Sequence, residues 1–143
     1  MSESIKPPTW FWVVAILALL WNFVGVFNYL HQAYDKAAIL EGLDQAQRDV
    51  VLGIPAWATA AFAIAVFAGA LASIGLLLRK KWARPIFVIS LLALVAQFIH
   101  WLIISEAVAV FGPTTYIMPL IVVAIAMYLV SFSKKGIQRG WLE

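Results

Sequence analysis

Four long apolar stretches fill most of the chain: roughly Trp10 to Leu30, Ile54 to Leu78, Pro85 to Ile104 and Thr114 to Phe132. None of them contains Asp, Glu, Lys or Arg. A helix of about 20 residues rises about 30 Å, the hydrocarbon thickness of a bilayer. Within lipid every backbone polar group has to be satisfied by the spanning structure itself, which leaves helices or a closed barrel. A barrel needs segments of about ten residues with alternating polarity, and these runs are continuously apolar. The pattern predicts an all-α, membrane-embedded four-helix bundle, a single transmembrane domain over residues 1 to 143.

The polar intervals set the connections. Residues 1 to 9 form a short tail containing Pro7-Pro8, and Trp10, Phe11 and Trp12 follow as an aromatic anchor at the interface. The first apolar run is too long for a typical signal-peptide core and lacks the small-residue cleavage pattern, so it reads as the first span. Residues 31 to 53 make the only sizeable extramembrane piece. Its Ile39, Leu40, Leu43, Ala46, Val50 and Val51 recur at helical spacing. They predict a short amphipathic helix in the first outer loop, on the membrane surface or capping the bundle. Pro8, Pro55, Pro85 and Pro113 precede or open the spans, where a missing N–H is harmless; Pro119 either sits in a first turn or kinks the fourth helix. The Arg79–Arg84 loop is short enough that spans two and three must be antiparallel neighbours.

Charge then fixes an orientation. Eight of the ten Lys and Arg lie in the two tails and the Arg79–Arg84 loop, whereas the other two loops hold Lys36, Arg48 and five acids, Asp35, Glu41, Asp44, Asp49 and Glu106. The positive-inside rule places both termini and the middle loop in the cytoplasm. The chain is 64% hydrophobic and 12% charged, outside the range of soluble domains. Its net charge of +3 sits beside the spans rather than on a soluble face, so no nucleic-acid partner is expected. With no cysteine, disulfides, thiolate chemistry and cysteine-based metal sites are excluded.

Two sets of residues are candidates for function. On span two, Ala61, Ala65, Gly69 and Ser73 recur every four residues, a small face that lets helix backbones approach closely. It packs against spans one or three, or else forms an interface to a second copy or a larger complex. The other set is polar and lies within spans one and three: Trp21, Asn22 and Asn28 on the first, Gln97 and His100 on the third. Spans one and three run parallel in this topology. Counting rise from their centres puts Asn22 and Gln97 at similar depth, so the two faces are expected to meet level by level. Leu17–Phe23 can be laid over Leu92–Phe98 with Asn22 on Gln97, the register of a parallel repeat. These groups either hydrogen-bond the bundle together or line an outward-facing pocket of amides, an imidazole and indole, suited to a neutral hydroxylated solute. His31 and His100 are the only histidines, too few for a convincing metal or haem site, and no cofactor is expected. No nucleophile triad, phosphate loop or dinucleotide fingerprint is present, so an enzyme is not expected.

Three stretches together resemble a small family of bacterial four-span membrane proteins: Trp21-Asn22-Phe23-Val24-Gly25-Val26-Phe27-Asn28-Tyr29, Gly53-Ile54-Pro55-Ala56-Trp57, and Leu76-Leu77-Leu78-Arg79-Lys80-Lys81-Trp82-Ala83-Arg84-Pro85. Members carry a sugar-transporter-like label or none. The resemblance implies the four-span fold, a bacterial inner membrane and sugar transport. The chain lacks the first-helix glutamate of small multidrug exporters and the proline–glutamine units of the smallest sugar exporters. The expectation is a multi-pass inner-membrane protein that binds or transports a small neutral solute such as a sugar, as an oligomer. The alternative is a non-catalytic accessory subunit of a larger membrane complex.

Overall fold

A computed structural model describes residues 5 to 143. The described chain is helical and has four helices long and apolar enough to cross a membrane. They are α1 (Thr9–Tyr34), α4 (Ala56–Leu77), α5 (Ala83–Ile99), which runs on through a π-helical turn to Ile104, and α7 (Ile117–Gln138), preceded by a 3₁₀ turn from Pro113. Short helices fill the connections: α2 (Lys36–Leu40) and α3 (Gln45–Leu52) between α1 and α4, and α6 (Ala107–Phe111) before α7.

The starts and stops follow local chemistry. Pro8 and Pro55 are the extended residues before α1 and α4, and Pro119 falls in the first turn of α7, where it leaves the helix unkinked by any lost bond. Asp44 and Gln47 form a reciprocal capping box on α3, the Asp44 carboxylate accepting from the Gln47 amide at 2.8 Å. Gly112 turns the chain into the 3₁₀ segment at φ 93° and ψ 175°, a region essentially reserved for glycine. α4 ends in a Schellman turn: the Lys80 amide bonds the Gly75 carbonyl at 2.8 Å and the Arg79 amide bonds Leu76 at 3.0 Å, with Arg79 itself at φ 57°.

α4 stands at the centre of the arrangement. It packs on α1 along one side and on α5 along the other, and α5 packs in turn on α7. α1 and α5 pack more closely on α4 than on each other, and their polar faces converge beside Gly69, whose Cβ position lies next to both Asn22 of α1 and Ser90 of α5. The small residues of α4 explain this, because Ala58, Ala61, Ala65, Gly69, Ala72, Ser73 and Gly75 are all buried and admit both neighbours at close range. Ala61, Ala65, Gly69 and Ser73 are buried within the chain itself, the intramolecular packing that was one of the two readings of that face.

The compact core sits at the basic end. Phe11, Leu76, Phe87, Phe132, Trp141 and Leu142 are buried together, with Phe11 stacked on Phe132 at 5.5 Å. Arg79 ties three segments there: its guanidinium donates to the carbonyls of Trp141 (2.9 Å) and Ile5 (3.0 Å), and its own carbonyl accepts from Glu143 (2.8 Å). The N-terminal tail, the α4–α5 turn and the C-terminal tail are thus fastened at one end. Away from that end α1 and α7 part, leaving an apolar groove of about 520 Å³ between Leu17, Trp21, Val24 and Ile125, Tyr128.

Candidate functional site

The parting of α1 from α7 leaves room inside the bundle. A cavity of about 300 Å³ lies among all four long helices, with Asn22 and Asn28 from α1, Ala65 from α4, Ser90 and Gln97 from α5, and Val122 and Ala126 from α7 on its walls. No charged side chain lines it. At about 30 Å³ per molecule, that volume holds about ten waters.

The structure places Trp21, Asn22, Asn28 and Gln97 on this one cavity. Their roles divide by what they already bond. The Asn22 amide donates to the Ala18 carbonyl at 2.8 Å and to the Ser73 hydroxyl at 3.2 Å, and Ser73 donates onward to the Gly69 carbonyl at 2.8 Å. Asn22 therefore ties α1 to α4, over the gap that Gly69 leaves for it: a Cβ on Gly69 would overlap the Asn22 side-chain oxygen. Ser90 donates to the Ala65 carbonyl at 2.6 Å and ties α5 to α4. The side chains of Gln97, Asn28 and Trp21, which also line the cavity, make no hydrogen bond to another side chain or backbone group among the described residues. Polar groups left unpartnered in hydrocarbon are expensive, and within spans they mark pathways and binding sites.

His100 lies off this cavity. It is buried, begins the π-helical turn and meets the Trp57 ring edge-on at 5.5 Å. Single π turns inside helices often occur at functional positions. Together with Gln32, Thr59, Phe62 and Gln97 it lines a small void of about 20 Å³. A further void of about 30 Å³, with Tyr29, Gln32, Lys36 and Thr59, lies beyond. The three spaces share walls in sequence: Gln32 and Thr59 separate the outermost from the middle, and Gln97 with Phe62 separates the middle from the main cavity. A stair of polar side chains thus descends from the α1–α3 end to the bundle interior. It stops there, because Phe87 and Leu129 below belong to the packed basic-end core. His31 is elsewhere, exposed and 3.4 Å from Asp35, so the two histidines have different neighbours.

Thr59 and Phe62 were not among the residues picked out by sequence. Thr59 offered a weak signal as a lone hydroxyl early in an apolar span, and Phe62 offered none. Comparison with protein-family models, with curated proteins and with solved structures gives no match for this chain.

Proposed function

We propose that the protein is a multi-pass inner-membrane protein of bacterial type that binds, and on opening passes, a small neutral polar solute such as a sugar. The observation that carries this reading is the stair of polar groups, Gln32 and Thr59 with Lys36 at the outer end, then His100 and Gln97, then Asn28, leading from one end into a cavity with no charged side chain on its walls. A cavity of about 300 Å³ is at the small end of the range for ligand sites, which suits one sugar-sized molecule rather than a drug-sized one. The absence of charge on its walls favours a neutral ligand over an ion. Amide and indole donors match hydroxyl groups.

The orientation belongs to the same reading. The basic end, carrying Lys6, Arg79, Lys80, Lys81, Arg84 and the Lys134–Arg139 segment, faces the cytoplasm by the positive-inside rule. The stair then opens outward and the packed end is inward, an outward-accessible and inwardly closed arrangement. Phe62 and Gln97, at the narrow step, are the gate.

The test is uptake of radiolabelled hexose and glycerol into proteoliposomes, with binding measured in parallel. Gln97→Leu is expected to abolish saturable binding while leaving thermal unfolding unchanged, because Gln97 bonds nothing in the bundle. Phe62→Ala is expected to speed solute entry. Binding that is insensitive to both substitutions would overturn the assignment.

A further inference from the structure

A second site lies along the seam between α1 and α7, on the lipid-facing side of the cavity wall. At the basic end, a depression of about 520 Å³ is formed by Trp10, Ser131, Lys134, Lys135, Gln138 and Arg139, together with Tyr128. Tyr128 also lines the apolar α1–α7 groove, so the two depressions are neighbours along one seam, one cationic and the other hydrocarbon-like. Among the described residues no carboxylate pairs with Lys134, Lys135 or Arg139. Two of these cations instead stand over aromatic faces, Lys135 over Trp10 and Arg139 over Trp141, each at 5.5 Å, which holds them at the mouth of the depression.

We propose that this seam binds one anionic phospholipid, its phosphate on Lys134, Lys135 and Arg139 and an acyl chain laid in the groove over Leu17, Trp21 and Val24. Charge complementarity selects the occupant. An apolar protein segment would fill the groove and leave the three cations uncompensated. A zwitterionic lipid would fill it and neutralise them less well. Basic pockets between spans at the positively flanked end are suited to anionic headgroups. The depth also fits, since a headgroup at the helix ends places its chain alongside the spans. The bound chain supplies the wall that α1 and α7 leave open, closing the cavity against the bilayer at Trp21, Val24, Ile125 and Leu129, which line both spaces.

The experiment uses the full chain in lipid nanodiscs with spin-labelled phosphatidylglycerol and phosphatidylcholine, measuring the motionally restricted fraction of each. Phosphatidylglycerol is expected to be restricted preferentially. Each headgroup cation is expected to contribute about fivefold, from about 1 kcal/mol per basic residue near the surface. Lys134→Gln with Lys135→Gln should therefore reduce the preference by about 25-fold or to parity. Lys80→Gln with Lys81→Gln removes the same charge from the same end but outside the depression, and should leave the preference in place. Val24→Trp, at an exposed position in the groove, should release the restricted component with the cations intact. Equal restriction of the two lipids overturns the proposal. So does an equal loss in the Lys80/Lys81 pair, which would mean diffuse surface charge, and so does full competition by soluble glycerol phosphate, which would mean an anion site without a chain.

Discussion

Replacing Gly69 with alanine inserts one methyl group at the point where α1, α4 and α5 come closest. A Cβ built there overlaps the Asn22 side-chain oxygen, comes within 2.9 Å of the Asn22 amide carbon and within 3.3 Å of the Ser90 hydroxyl. Either the helices separate or Asn22 swings away. Separation is overpacking, which costs about 1–3 kcal/mol. Swinging away breaks the bond to Ser73 on α4, at about 0.6 kcal/mol for a contact between membrane helices, and the bond within α1 to Ala18. Against this, alanine favours the helix over glycine by about 0.8–1.0 kcal/mol. The net expectation is a loss of a few tenths to about 2 kcal/mol. The decisive arm is the double substitution. Asn22→Ala clears the space, so in that background Gly69→Ala should be neutral or stabilising by up to about 1 kcal/mol. Reversible unfolding of the four variants in mixed micelles or by steric trapping in bicelles measures the cycle. Additive single effects would refute the argument that Asn22 and Gly69 share one space, as would a Gly69→Ala variant as stable as the parent. A result in which Gly69→Ala left folding intact but dissociated an oligomer would instead restore the face to an interchain role.

Arg79 tests the fastening of the basic end. Arg79→Ala removes the bonds to Trp141 and Ile5 while keeping the left-handed turn, an expected loss of about 2 kcal/mol, within the range for bonds to charged groups. Arg79→Gly loses the same bonds but relieves the φ of 57° and should be about 1 kcal/mol more stable than the alanine variant in thermal unfolding. Faster proteolysis of the C-terminal tail in both variants is the local readout, and unchanged proteolysis would mean the tail is held by Trp141 and Leu142 alone. For topology, the chain has no native cysteine, so single replacements report cleanly. Lys80→Cys and Gln138→Cys are expected to label from one side of the membrane and Gln45→Cys from the other, with an impermeant maleimide reaching only Gln45→Cys in intact cells.

How far the sequence carries can be seen helix by helix. The four spans are legible because a run of about 20 residues without charge has one stable solution in lipid. The α4–α5 hairpin is legible because its connection is too short for any other pairing. The order of packing was not, for a physical reason. A soluble helix shows its buried face as a stripe, but here lipid-facing and protein-facing positions are equally apolar, and only side-chain size separates them. The small face of α4 carried that information: it serves two neighbours, α1 and α5, where the sequence offered one or the other. Depth, by contrast, follows from counting rise. Trp21, Asn22, Asn28 and Gln97 line one cavity because residues at one level on neighbouring helices face one space. The α7 wall of that cavity, Val122 and Ala126 among others, has no polar residue to announce it. His100 follows the same rule: it keeps to the face of Gln97 and lines the small void with it, but it lies nearly a turn further along α5, so it meets Trp57 and the void rather than the main cavity.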